Sequence, residues 1–238
     1  TDVLSDPARM AAVAAAMPGG IQAVQDAYPL SPLQEGILFH HLLGEGEGGD
    51  AYVMRDMIGF DSRERPDEFL AALQVLTDRH DILRSSMHWD GLPRPLQVVH
   101  RDARLRVIEW SEEGGLSAVE RLTAATDPQH ARLDLRVAPI FTVHVAEDPQ
   151  RGGWLLALLN HHIVEDNQSR QIKLDEVREI LDGRRDALPP PRPYRDFIEH
   201  LHADDPARHE AYFRQRLGDV DEPTLPFSTS AEPSASIP

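Results

Sequence analysis

The chain reads as an α/β protein of the α+β layered-sandwich kind, with a mixed sheet flanked by helices, and three stretches carry that reading. Residues 154–159, WLLALL, form an apolar run too short for a globular helix but rich enough in large side chains for a buried strand. Phe69, Ala72, Leu73 and Leu76 recur at helical spacing, which predicts a helix over 66–79 with one apolar stripe. A second helical pattern, Ile172, Val177, Ile180 and Leu181, follows the apolar run and ends at Gly183. Strands and one-sided helices in alternation bury both kinds of surface when the helices lie on the sheet.

The remaining elements follow in order. Asp6 or Ser5 caps a helix through Pro7 to Ala16, and Pro18-Gly19-Gly20 ends it. That helix has little apolar surface, so residues 1–27 read as a lead-in linker. Ser31 is a good N-cap, with Pro32 at the first helical position, where its missing N–H costs nothing. His40 and His41 lie on this helix as an incidental polar face, and 44–50, rich in Gly and Glu, is a loop. Strands are predicted over 51–60, 84–89, 94–100, 104–110, 139–146 and 154–160. The second and third are joined by the turn Asp90-Gly91-Leu92-Pro93, and the last two pair. Helices are predicted over 115–126, 194–202 and 205–217, with Pro189-Pro190-Pro191 an extended spacer. Residues 219–238 lose periodicity and read as a linker or disordered tail.

The chemistry concentrates at Asn160-His161-His162-Ile163-Val164-Glu165-Asp166, where the buried strand ends and a helix begins. Open α/β sheets place their chemistry at such strand ends. Adjacent strand residues point to opposite faces, so one imidazole faces packing and the other faces outward. That geometry disfavours a metal site, because the two rings do not converge on one ion, and no cysteine or H-E-x-x-H spacing completes one. Two readings of the residues stay open: a pair of satisfied core histidines with Asp166 capping the helix, or a general base.

Composition excludes several classes. Forty acidic against 24 basic residues, a net charge of −16, argue against a nucleic-acid or anionic-membrane surface. Without cysteine there is no disulfide, thiol nucleophile or thiolate ligand. No apolar run approaches the roughly 20 residues that span a bilayer. Asp2 and Asp6 stand where a signal peptide has its basic region, so a cytoplasmic location is expected.

His161-His162-x-x-x-Asp166 resembles the active-site motif of the condensation domains of nonribosomal peptide synthetases. Four further stretches match that family in the same order. Tyr28-Pro29-Leu30-Ser31-Pro32-Leu33-Gln34 through Leu43 resembles its first core motif, in a form common after a carrier domain. Arg79-His80-Asp81-Ile82-Leu83-Arg84-Ser85 resembles the second, Tyr194-Arg195-Asp196-Phe197 the fourth, and Glu210-Ala211-Tyr212-Phe213 through Gly218 the segment after it. The glycine that follows the aspartate in the family is Asn167 here, a residue that tolerates left-handed backbone.

The resemblance implies a chloramphenicol acetyltransferase-like fold of two lobes, of which this chain has the first: a carrier-to-condensation linker over 1–27, the N-terminal lobe over 28–218, and an inter-lobe linker over 219–238. It implies amide formation between a donor thioester and an acceptor amine, each delivered on the phosphopantetheine arm of a peptidyl or aminoacyl carrier protein. It implies no cofactor of the chain's own, and the C-terminal lobe and an adenylation domain as further partners. His162 matches the functional histidine and His161 its architectural neighbour. Asp166 matches the family aspartate held by an arginine, for which Arg84, ahead of Arg79, is the expected partner. One lobe alone is expected to be inactive. The alternatives that the resemblance leaves open are epimerisation domains, non-catalytic partner-recruiting modules of the same ancestry and trimeric coenzyme A-dependent acetyltransferases. The last carry the His motif near the carboxyl end, whereas here Tyr194-Arg195-Asp196-Phe197 follows it.

Overall fold

The computed structural model describes residues 7–17, 19–44, 48–111, 116–203 and 205–221. In chain order the elements are α1 (Pro7–Ala16), β1 (Val24–Pro29), α2 (Pro32–Leu43), β2 (Val53–Phe60), α3 (Glu64–Arg79), β3 (Ser85–His88), β4 (Leu96–His100), β5 (Val107–Trp110), α4 (Ala118–Ala125), β6 (Phe141–Asp148), β7 (Gly153–His161), α5 (Asn167–Leu181), α6 (Tyr194–Ala203) and α7 (Pro206–Leu217). They fall into two units, one up to Leu201 and one from His202. In the second unit α7 starts on Asp205, whose carboxylate accepts the Ala207 N–H at 3.0 Å.

The first unit is built on two sheets. One is antiparallel, in the order β1-β4-β3; the other runs β2-β7-β6-β5, with β5 parallel to β6 and the other pairs antiparallel. The parallel pair needs a crossover, and α4 lies within it. Strand β7 is central, and the two faces of its apolar run go to different helices. Leu156 and Leu158 pack with Leu73 and Leu76 of α3 and Val177 of α5. Leu155 and Ala157 pack with Ala118 and Leu122 of α4. Each of these leucines contributes about 1.5–3 kcal/mol when fully buried, so this strand is the firmest place in the unit from which to project a side chain. Among the described residues no helix is long and apolar enough to cross a membrane.

Two features differ from the expectation for the amino-terminal stretch. Residues 24–29 form β1, paired with β4 through a register shift between Val24 and Asp26. The run VQDAYP lacks clean alternation and ends in Pro29; an edge strand tolerates both. Helix α1 also buries more than its alanines suggest, because Val13 and the following Met17 pack on Val24, Ala27, Leu96 and Val98. Helix α2 joins the two sheets: Ile37 and Leu38 share a core with Met87 of β3, Val53 of β2, and Leu159 and Ile163 at the end of β7.

Candidate functional site

Strand β7 ends at His161, opposite Val53 of β2, and residues 162–165 turn into α5. Strand alternation sends the two imidazoles to opposite sides, as expected. His161 is fully buried, and His162 is exposed on a cleft of about 670 Å³ walled by Leu33 and Ile37 of α2 and by Tyr194 and Phe197 of α6.

Every residue of the turn is tied down. The His162 N–H donates to the Tyr52 carbonyl at 2.9 Å, and its ring Nδ1 lies 3.0 Å from the Glu165 carbonyl oxygen. A carbonyl only accepts, so Nδ1 carries the proton and the neutral ring keeps its lone pair on Nε2. Among the described residues Nε2 has no partner. The Ile163 N–H donates to His161 Nδ1 at 3.1 Å, and its carbonyl accepts from Gln34 Nε2 at 3.0 Å. Gln34 is held in turn by the capping box at the start of α2 and by Gln97 at 2.8 Å. The buried Glu165 carboxylate meets Lys173 of α5, whose ammonium also reaches Asn160 Oδ1 at 3.3 Å. One buried cation therefore gathers both ends of the turn.

Beneath it lies Asp50. Its Oδ2 meets His161 Nε2 at 3.0 Å and His41 Nδ1 at 2.5 Å, and its Oδ1 accepts the Tyr52 N–H at 2.9 Å. Burial alone would raise the Asp50 pKa, but the hydrogen bonds from His161, His41 and Tyr52 outweigh it and hold the carboxyl far below the usual carboxylate range. Burial pushes the His161 imidazole down, with Asp50 partly opposing, so the ring is neutral. Among the described residues these three are also the group whose ligand atoms lie close enough for a metal, within 4.8 Å. The two imidazole contacts to one carboxylate oxygen have hydrogen-bond lengths, and His161 Nδ1 is committed to Ile163, so the trio is satisfied as a hydrogen-bonded set.

The expected ion pair of Asp166 with Arg84 or Arg79 is not formed. Asp166 is exposed and N-caps α5 in extended backbone, φ −118° and ψ −177°. Its carboxylate accepts the Ser169 N–H and hydroxyl, each at 2.7 Å, and the Ser169 bonds keep its pKa below the ordinary value. A helix start supplies orphan N–H donors on the spot, so this carboxylate stays ionised without a buried cation. Arg84 instead binds Gln25 Oε1 at 2.8 Å and the His100 carbonyl, joining the 3₁₀ turn before β3 to β1 and β4. Arg79 binds Glu176 of α5 at 2.9 Å and the Pro189 carbonyl; His80 shares Glu176 at 2.8 Å. The second motif thus braces α5 from behind.

Sequence reasoning assigns no role to His41, Asp50, Lys173 or Glu165. His41 reads as incidental, yet it is buried; Asp50 sits in a Gly-rich loop where no periodicity signals burial. Gln34 lies inside the first matched motif, which is the one available signal.

Residues 24–237 match the family model for the condensation domain. The chain is 39% identical over 215 residues to malpinin synthetase and 40% identical over 213 residues to malpibaldin synthetase, both from Mortierella alpina; each match covers 89% of this chain. A linear gramicidin synthase from Brevibacillus parabrevis is 30% identical over 211 residues, 84% of this chain. The chain spans only 3–4% of the length of these relatives. Among solved structures, the starter condensation domain of rhizomide synthetase RzmA aligns with a TM-score of 0.64 at 18% identity, covering 84% of this chain and 50% of that one. Family match and shared fold agree: the chain belongs to the condensation domain family.

Proposed function

We propose that this chain is the N-terminal lobe of a nonribosomal peptide synthetase condensation domain. It helps form an amide between a donor thioester and an acceptor amine, each carried on the phosphopantetheine arm of a carrier protein. The observation that carries the reading is His162: it faces the cleft with Nδ1–H held by the Glu165 carbonyl and Nε2 free. In this reading the acceptor nitrogen attacks the thioester carbonyl, the C–N bond forms and the C–S bond breaks. The proton leaving the amine passes to Nε2 and on to the departing thiolate. Asp166 caps the helix that follows the turn, His161 anchors the turn, Arg79 braces that helix from the second motif, and Arg84 ties the start of β3 to β1 and β4. The thioester arms are substrate, and the apolar walls of the cleft, Leu33, Ile37, Val164 and Phe197, suit a slender chain that must be shielded from water.

The domain boundaries belong to the same proposal, with the start moved to β1: a linker that ends before Val24, the lobe from there to 218 and an inter-lobe linker over 219–238. The second lobe, an adenylation domain and a cytoplasmic setting complete it. The test is a domain completed by its second lobe, given loaded donor and acceptor carriers and assayed for condensed product by mass spectrometry. His162→Ala should lower the rate on the order of 10²-fold or more without loss of stability, because the side chain is exposed; unchanged turnover would end the assignment. The 238-residue chain alone should give no product, since it supplies one wall of the site; product at the rate of a complete domain would refute the one-lobe reading.

A further inference from the structure

We propose that Asp50 is a positioning residue for His162, acting from the buried side of the turn; the proposal deepens the functional reading above and rests on it. Two routes lead from this one carboxylate to the backbone on either side of the exposed imidazole. Along the first, Asp50 Oδ2 accepts from His161 Nε2 at 3.0 Å, and His161 Nδ1 accepts the Ile163 N–H at 3.1 Å. Along the second, Asp50 Oδ1 accepts the Tyr52 N–H at 2.9 Å, and the Tyr52 carbonyl accepts the His162 N–H at 2.9 Å. The peptide units before and after His162 are therefore both set by Asp50.

The first route works for one tautomer only. The Ile163 amide is a donor, so His161 Nδ1 must be bare and its proton must sit on Nε2, where the carboxylate receives it. The other tautomer would face one N–H with another at Ile163 and leave a lone pair against the carboxylate. The His41 Nδ1–H on the same oxygen, at 2.5 Å, fixes where that oxygen sits. Asp50 and His161 have side chains 1% and 0% exposed, so water does not stand in for either partner. An amide in place of the carboxylate has only one accepting atom and cannot satisfy His41, His161 and Tyr52 together.

The test reads the tautomer directly. Long-range ¹H–¹⁵N spectra of the chain with ¹⁵N-labelled histidine should show His161 protonated on Nε2. Asp50→Asn should move His161 towards the Nδ1–H form and speed amide exchange at Ile163 at least about 10-fold. His41→Asn, which keeps an N–H near the same place, should leave the His161 tautomer unchanged, whereas His41→Leu should disturb it. Should Asp50→Asn fail to fold, the native tautomer and the two His41 variants still decide. In a domain completed by its second lobe, Asp50→Asn should lower kcat on the order of 10- to 100-fold, as loss of an orienting partner does, with KM for the loaded carriers unchanged. A native His161 protonated on Nδ1 would overturn the proposal, as would an Asp50→Asn chain with unaltered His161 tautomer and Ile163 exchange. Stoichiometric uptake of zinc from zinc chloride by His41, Asp50 and His161 would also overturn it. If instead His162→Ala leaves the rate intact, the functional reading falls while the spectra still judge the Asp50 route.

Discussion

The two sides of the 160–166 turn follow opposite rules. On the inner side, His161, Asp50, Glu165 and Lys173 are buried, and their side chains bridge separate elements: β7 to the loop before β2 through Asp50 and His161, and the turn to the second turn of α5 through Glu165 and Lys173. On the outer side, His162 and Asp166 are exposed, and their side-chain contacts lie within three residues, at the Glu165 carbonyl and at Ser169. The inner side uses buried polar pairs that join one element to another and need the surrounding core to exclude water. The outer side uses local bonds that hold shape yet leave one imidazole nitrogen available. Rigidity and accessibility are thus separated across a single turn, as the proposed role of His162 requires.

The contrast is sharpest at Lys173. Lys173→Met should destabilise the chain by about 3–5 kcal/mol, because it strands the Glu165 carboxylate in the interior. Glu165 Oε1 already has no partner among the described residues, so the carboxylate has little else to turn to. Pairing Lys173→Met with Glu165→Leu should recover most of the loss. Urea unfolding of the two single variants and the double measures the coupling; a single-variant loss within about 1 kcal/mol, like that of an exposed pair, would erase the difference between the two sides.

The same division explains what is legible in the sequence. The two-faced burial of β7, the paired strands β6 and β7, the stripe of α3 and the opposite facing of His161 and His162 all follow from periods of two and 3.6, which are properties of consecutive residues. The cap at Ser31 is equally local. By contrast, no local pattern makes Asp50 different from Glu45 or Glu47 in the same loop, and only the pairing of β2 with β7 brings it under His161. Asp166 departs in the other direction. The family resemblance assigns it a distant arginine, although its place before a helix with Ser169 three residues on is a capping pattern, one of the two readings its residues support. Strand β1 escapes the sequence pattern because Asp26 and Pro29 break it; Asp26 is there to bind Arg195 of α6, at 2.7 Å.

Buried and exposed imidazoles should also part company with pH. Burial, together with His88 and Arg84, pushes the His100 pKa down to about 4 from an ordinary 6.5. The unfolded chain then binds a proton that the folded one refuses, so stability is highest above pH 6.5 and falls as the pH drops from 6.5 towards 4. The His100 share is on the order of 2–3 kcal/mol. His88, His144 and His161 are lowered in the same direction, each chiefly by burial. Asp50 adds its loss only below the ordinary carboxylate range. Urea midpoints measured from pH 7 to 4.5 should therefore decline, and less steeply in His100→Gln. A flat profile would mean that these rings are hydrated or charged in the folded chain.

The smallest effect should come from Asp166. Had it been the buried partner of an arginine, removing it would cost several kcal/mol. As an exposed N-cap it should cost about 1 kcal/mol, within the 0.5–2 range for losing such a cap. Asp166→Asn or Asp166→Ser, which keep an oxygen for the Ser169 N–H, should restore most of that, whereas no cap-competent residue would replace a lost ion pair. The measurement is the unfolding free energy of Asp166→Ala, Asp166→Asn and Asp166→Ser at pH 7. A loss above about 3 kcal/mol that neither Asn nor Ser repairs would show that the outer side of the turn carries a buried charge pair after all, and the separation drawn between its two faces would not hold.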